Sequence, residues 1–355
     1  MKEITPAKIA KLDSILAGAS KATIVVHVNA DGDAIGSGSA MLHYLLEVRG
    51  LDAAVAVPDR DAGGSSFLIP EEDRKYFFFF QSEPEKTEER ISSSDVIIVQ
   101  DCIGFSRTEG LAPCLGRSSA RKILIDHHIG PESDSFDLVF SKTDISSASE
   151  MLFHILMEMP DIGKDASKLP RISGRALMTG MTTDTNNFAN SVYPSTFDMA
   201  SKLIAAGVDR DEILNQLYYS YRESRLRLMG FLMNKMTITP EGVAYMIMTK
   251  RNFASFGVTD SDTEGFVNLP LSIKDVRMSV FLKQDTGFFR VSTRSKKGTS
   301  AQQFASRYFN GGGHQNAAGG EFFGSVEDAV ALFHQVLADL FPPDNNNEPN
   351  NQQTT

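Results

Sequence analysis

Ile123-Leu124-Ile125-Asp126-His127-His128 reads as a short apolar strand that runs straight into one carboxylate and two imidazoles. Three other segments repeat the arrangement. Ile24-Val25-Val26-His27-Val28 leads into Asn29-Ala30-Asp31-Gly32-Asp33, Val96-Ile97-Ile98-Val99-Gln100 leads into Asp101, and a helical stretch over 171–182 leads into Thr183-Asp184-Thr185. In an open parallel sheet the carboxyl ends of the strands share one edge, so polar groups that follow different strands converge there. The expected fold class is therefore α/β, with an N-terminal, mostly parallel sheet flanked by helices.

The spacing outward from these segments agrees. A helix is expected over 34–49, with Ile35, Leu42, Leu45 and Leu46 on its apolar side, and further strands over 53–57 and 96–99. Helices are expected over 151–158 and 171–182. After Pro194 the pattern is helical without strands to about residue 231, which reads as a connector. A smaller α/β region with a mixed sheet follows, with strands near 243–248, 278–283 and 288–293 and helices near 301–308 and 326–340. The expected domains are 1–195, a connector over 196–232, a second domain over 233–341 and a disordered polar tail over 342–355, which begins near Pro342-Pro343-Asp344-Asn345.

Composition narrows the function. The chain has 355 residues, long enough for two domains, and its 41% hydrophobic and 23% charged residues are those of a globular protein. A net charge of −10 disfavours a protein that grips long nucleic acid by its phosphates. No apolar run reaches the roughly 20 residues of a membrane helix, and Lys2, Lys8, Lys11 and Asp13 interrupt any secretory leader. The 2 cysteines, Cys102 and Cys114, provide neither a disulfide framework nor a zinc knuckle, so a reducing cytoplasm is the expected location.

A single Asp after a strand is more often a turn or capping residue than a ligand. Four acid- or histidine-bearing segments at corresponding places in one domain are harder to explain that way. Mixed imidazole and carboxylate donors suit Mn²⁺, Fe²⁺, Co²⁺ or Zn²⁺ better than Ca²⁺. Two cations about 3.5–4 Å apart, sharing a carboxylate, form the centre of two-metal phosphatases and nucleases. His43, His154 and His334 are read as ordinary structural histidines.

The segment His27-Val28-Asn29-Ala30-Asp31-Gly32-Asp33-Ala34-Ile35-Gly36-Ser37, with Asp101, Asp126-His127-His128 and Thr183-Asp184-Thr185, resembles the four motifs of the DHH phosphoesterases. That superfamily includes RecJ-like exonucleases, family II pyrophosphatases and small oligoribonucleases with 3′-phosphoadenosine-5′-phosphate (pAp) phosphatase activity. Downstream, Gly311-Gly312-Gly313-His314-Gln315-Asn316-Ala317-Ala318-Gly319-Gly320 resembles the GGGHxxAAG motif of the DHH-associated domain, which binds the nucleotide end of the substrate in the family. Arg294-Ser295-Lys296 resembles the basic segment that accompanies it.

The resemblance implies a role for each position. His27, Asp31 and Asp101 would hold one divalent metal ion, and Asp33, Asp101, His127 and Asp184 the other, both most simply Mn²⁺. His128 would act at the scissile phosphate or the leaving oxygen, with Asp126 orienting a histidine. Arg294, Gly311, Gly312, Gly313 and His314 would grip a phosphate or nucleotide. The implied activity is hydrolysis of very short oligonucleotides to mononucleotides, and of pAp to AMP, by a metal-activated water. The implied partners are a short oligonucleotide or nucleotide, with no long duplex and no membrane, and the connector helices offer a surface on which two copies could pair as a homodimer. An inorganic pyrophosphatase and a non-catalytic nucleotide-sensing module are the alternatives. Two departures stand out: Ala30 replaces a usual proline, and Asn186-Asn187-Phe188-Ala189 lacks the arginine that usually follows the fourth motif.

Overall fold

A computed structural model describes residues 3–340, and the expected tail over 342–355 lies outside them. The chain divides into two compact units, with the boundary between Ser220 and Tyr221. The expected connector over 196–232 is thereby shared between the two.

The first unit opens with α1 (Pro6–Ala17), β1 (Lys21–Val25), α2 (Gly32–His43), β2 (Asp52–Val57), β3 (Phe77–Phe79) and α3 (Pro84–Ser92). It continues with β4 (Val96–Gln100), α4 (Ala112–Arg117), β5 (Arg121–Asp126), β6 (Leu138–Ser141), α5 (Ala148–Glu158), α6 (Arg171–Asp184), α7 (Pro194–Ala205) and α8 (Arg210–Tyr218). The strands form one 6-stranded sheet in the order β3-β2-β1-β4-β5-β6, all pairs parallel. The chain goes one way from β1 to β2 and β3, then returns to the other side of β1 for β4, β5 and β6. That reversal creates a crevice at the carboxyl ends of β1 and β4.

Both faces of the sheet are covered, which is why its central strands are continuous apolar runs. Ile24, Ile98, Ile123 and Ile125 pack on one face with Leu42 of α2, Leu152 of α5 and Leu177 of α6. Val25, Ile97, Val99 and Leu124 pack on the other with Ile91 of α3 and Leu115 of α4. Each fully buried side chain of this size contributes about 1.5–3 kcal/mol. β1 ends at Val25, so His27 stands in the loop after the strand and not within it, a correction to the expected strand over 24–28. The short edge strands β3 and β6 add to the expected set.

α2 is buried along its whole length, and α6 lies against it. Glycines make that closeness feasible. A Cβ on Gly36 would stand 2.8 Å from the Ala176 carbonyl, and one on Gly32 would collide with Thr183.

The second unit begins with α9 (Glu223–Lys235), then β7 (Thr237–Ile238), β8 (Val243–Met248), α10 (Lys250–Phe256), β9 (Met278–Gln284) and β10 (Phe289–Ser295). It ends with α11 (Ala301–Tyr308), β11 (Gly312–His314), β12 (Ala317–Phe322) and α12 (Val326–Leu340). Its 6-stranded sheet has the order β11-β12-β10-β9-β8-β7 and is mixed: β8 and β9 run parallel, and the other pairs are antiparallel. Val280, Leu282, Phe289 and Val291 pack there against Phe304 and Phe333. Among the described residues no helix is long and apolar enough to cross a membrane.

Candidate metal centre

The carboxyl edge of the parallel sheet gathers the candidate residues of the first unit. His27 follows β1, Asp101 follows β4, and Asp126 ends β5 with His127 and His128 directly after it. Asp31 caps α2, its Oδ1 accepting from the backbone N–H groups of Asp33 (3.0 Å) and Ala34 (3.1 Å). Asp33 lies in the first turn of α2 and Asp184 at the last residue of α6.

Asp101 is the centre of the group. Its Oδ2 lies 3.4 Å from His27 Nε2 and its Oδ1 3.3 Å from His127 Nε2. His27 Nε2 also stands 3.8 Å from Asp31 Oδ1, and His127 Nε2 stands 3.6 Å from Asp184 Oδ2. Three sets have ligand atoms mutually within 4.8 Å: His27, Asp31 and Asp101; Asp33, His127 and Asp184; and Asp101, His127 and His128.

Each donor is held from behind. His27 Nδ1 donates to the Val28 carbonyl at 2.8 Å, which leaves Nε2 directed at the carboxylates. Asp33 accepts from Ala148 N (2.7 Å) and Ser149 N (3.0 Å), the first N–H groups of α5. Gly180 of α6 leaves room for that carboxylate, because a Cβ there would stand 2.8 Å from Asp33 Oδ1 and collide with Ser149 Oγ. Asp126 is fully buried and accepts from His128 Nδ1 at 2.8 Å and His128 N at 3.2 Å. His128 is thereby fixed with its other nitrogen free among the described residues, and its side chain is 40% exposed.

The electrostatics are those of a site short of positive charge. Burial opposes ionisation of His27, but the neighbouring Asp101 and Asp31 carboxylates outweigh it and push its pKa up to about 11. His127 is raised in the same sense: burial lowers it, and the Asp101 carboxylate beside it prevails. Burial also opposes a charged Asp101, yet the His127 and His27 imidazoles beside it hold it well below the usual carboxylate range. Asp33 is pushed well above that range by burial and then by repulsion from Asp101 and Asp184. Among the described ion pairs, none brings a lysine or arginine to these carboxylates. Asp101 Oδ1 is buried without a hydrogen-bond partner, and Asp101 itself sits at φ 54, a left-handed conformation costly for a non-glycine residue. An orphaned carboxylate oxygen between two imidazole nitrogens fits a cation that the described residues do not supply.

Three residues at this edge escaped the sequence reading. Asp59, after β2, receives the N–H groups of Asn29 (3.0 Å) and Ala30 (3.0 Å) and so pins the loop between His27 and Asp31. It obeys the same rule of an acid following a strand, which would have found it. Glu150, fully buried in α5, accepts from Ser146 N at 3.1 Å and Thr196 Oγ1 at 2.7 Å, bracing the helix start that holds Asp33. Lys142 follows β6, a strand too short to be seen in sequence.

The second unit positions its candidates differently. The glycine run is not a loop: Gly312–His314 is an edge strand in a hairpin with β12, turned by Gln315 and Asn316. The pairing register aligns Arg294 of β10, Ala317 of β12 and His314 of β11 in one row. Arg294 donates to the Thr293 carbonyl at 2.9 Å and is half-buried. Backbone crowding accounts for most of the glycines. A Cβ on Gly311 would collide with the Gly319 carbonyl, one on Gly313 would stand 2.6 Å from the Ala317 carbonyl, and one on Gly312 would meet nothing within 4 Å.

Fold and site together define an α/β protein whose clustered carboxylates and imidazoles, at the switch point of a parallel sheet, could hold metal. The model of the DHH family N-terminal domain matches residues 21–181, and that of the DHHA1 domain matches residues 241–339. The chain is 31% identical over 228 residues to the bifunctional oligoribonuclease and PAP phosphatase NrnA of Bacillus subtilis, a match covering 63% of this chain and 68% of that protein. A crystal structure of an exopolyphosphatase-related protein from Bacteroides fragilis superposes with a TM-score of 0.87 at 35% identity, covering 96% of this chain and 98% of that one. The manganese-bound exonuclease RecJ shares the fold, with a TM-score of 0.56 at 16% identity over 94% of each chain. The chain belongs to the DHH family of phosphoesterases and is a hydrolase.

Proposed function

We propose that this protein hydrolyses very short oligonucleotides to mononucleotides, and pAp to AMP, at a centre of two divalent cations. The observation that carries the reading is Asp101, whose two oxygens face two different imidazoles while one of them lacks any hydrogen-bond partner. His27, Asp31 and Asp101 would hold one cation, and Asp33, Asp101, His127 and Asp184 the other. When bound, the cations supply charge neutralisation for the phosphoryl oxygens and acidify a water. Manganese is the preferred ion, supported by the donor set and by the manganese in the RecJ relative.

The chain's own residues do the rest. Asp126 locks the His128 imidazole through Nδ1, so its outward nitrogen can hydrogen-bond the scissile phosphate or pass a proton to the departing oxygen. Asp33 and Asp31 hold their carboxylates in place through helix-terminal N–H groups. In the second unit, Arg294, His314 and the Gly311–Gly312–Gly313 backbone would bind the nucleotide end of the substrate. The 31% identity to a bifunctional oligoribonuclease and PAP phosphatase supports this substrate class over pyrophosphate.

The test is a product time course on Mn²⁺-loaded protein given, separately, a 5′-phosphorylated ribodinucleotide, pAp and pyrophosphate. Mononucleotides from the dinucleotide and AMP from pAp are the expected products. Turnover of pyrophosphate alone would overturn the reading.

A further inference from the structure

The edge that carries the metal centre continues past His128. A cavity of about 600 Å³ opens at the ends of β5 and β6, lined by His128, Ile129, Ser141, Lys142 and Asp144, and also by Glu3. β5 and β6 pair with Asp126 opposite Ser141, and Lys142 N donates to the Asp126 carbonyl at 3.3 Å. Lys142 is thus fixed one residue beyond the strand pair that presents the two histidines.

His128 belongs to both places. Its Nδ1 lies 3.8 Å from Asp101 Oδ1, its ring centroid lies 4.4 Å from that of His127, and it also lines the cavity. A substrate whose phosphate meets His128 therefore has the acid–imidazole cluster on one side and this cavity on the other. The volume is in the range of small-molecule sites.

The lining indicates what the cavity accepts. Ile129, directly after the two histidines, is 86% exposed and offers an apolar surface. Lys142 is half-buried and makes no ion pair and no hydrogen bond through its ammonium among the described residues. Lys142 shares the lining with two carboxylates, Asp144 and Glu3, so the wall is a poor site for an anion. It suits a neutral, polar ligand that brings hydroxyl donors for the carboxylates, acceptors for the lysine and a flat apolar body. A nucleoside has all three.

We propose that this cavity is a nucleoside subsite. It holds the nucleoside on the far side of the scissile phosphate, which a dinucleotide has and pAp lacks. Ile129 lies against the base, Lys142 donates to base or ribose acceptors, and Asp144 with Ser141 accepts from the ribose hydroxyls. The inference rests on the proposed hydrolysis of dinucleotides, and it separates the two activities: the cavity serves the first and not the second.

The experiment compares wild type, Lys142→Ala and Ile129→Ser, each Mn²⁺-loaded, on a 5′-phosphorylated ribodinucleotide and on pAp. The ratio of kcat/KM for the dinucleotide to that for pAp is expected to fall by about tenfold or more in each variant. A ratio within about twofold of wild type in both variants would overturn the subsite while leaving the hydrolase reading intact. Photolabelling with 8-azidoadenosine gives an answer independent of turnover. Label in the peptide carrying residues 129–144, reduced in Ile129→Ser, is expected even where wild type hydrolyses neither substrate. Label confined to other peptides would refute the proposal.

Discussion

The edge of the parallel sheet and the glycine hairpin of the second unit both carry residues that ordinary strands avoid, but they do so for different reasons. At the sheet edge the unusual residues work against the fold. Asp101 is buried in a left-handed conformation with an unpartnered oxygen, and Asp33 is forced toward neutrality by burial and by neighbouring acids. In the hairpin, Gly311 and Gly313 serve the fold, because the backbone passes too close for a side chain. Gly312 is the exception, with open space where its side chain would be. Local strain and an unpartnered buried oxygen therefore set the first region apart on physics alone, whereas in the second most of the motif is equally the signature of a tight hairpin.

Substitutions at the two regions should separate these causes. The largest effect is expected at the centre: Asp101→Asn should lower turnover by on the order of a thousandfold, the several kcal/mol that metal-borne charge stabilisation supplies. Circular dichroism should show the fold retained. Gly180→Ala should come next. Its Cβ displaces Asp33 and Ser149, costing about 1–3 kcal/mol of stability in denaturant unfolding and lowering Mn²⁺ affinity by roughly 10–100-fold.

The hairpin gives a paired contrast. Gly311→Ala should destabilise the protein by about 1–3 kcal/mol through backbone collision. Gly312→Ala should leave stability within about 0.5 kcal/mol while weakening binding of AMP measured by calorimetry. Equal stability losses at both positions would remove the distinction.

Much of this contrast was readable from sequence. The apolar runs before Asp101 and Asp126 announce interior strands because both faces are covered, and the acids after them announce an edge. β3 and β6 escaped because edge strands of three or four residues carry too little pattern, and with β6 went Lys142. β11 escaped because glycine has low strand propensity and reads as a loop unless the pairing partner is known. Glu150 escaped because nothing in sequence tells a buried helical glutamate from an exposed one. Its role depends on Thr196, 46 positions away.

Glu150 supplies the test that depends on pH. Burial alone would raise its pKa, but the nearby His154 imidazole and hydrogen bonds from Ser146 and Thr196 outweigh burial and hold it at about 2, below the 4.5 of a free glutamate. A depressed folded-state pKa stabilises the protein above the unfolded value, and that contribution is lost as pH falls from about 4.5 toward 2. It amounts to about 3 kcal/mol at neutral pH. The melting temperature of wild type should drop more steeply across that window than that of Glu150→Gln, with calorimetry as the readout.

A shared centre requires Asp101 to serve two cations at once. Equilibrium dialysis against Mn²⁺, with bound metal counted by atomic absorption, tests this directly in wild type and Asp101→Asn. About two ions per wild-type chain and fewer than about one in the variant are predicted, since both sites lose a shared ligand. Two ions retained at wild-type affinity in Asp101→Asn would contradict the shared-carboxylate centre.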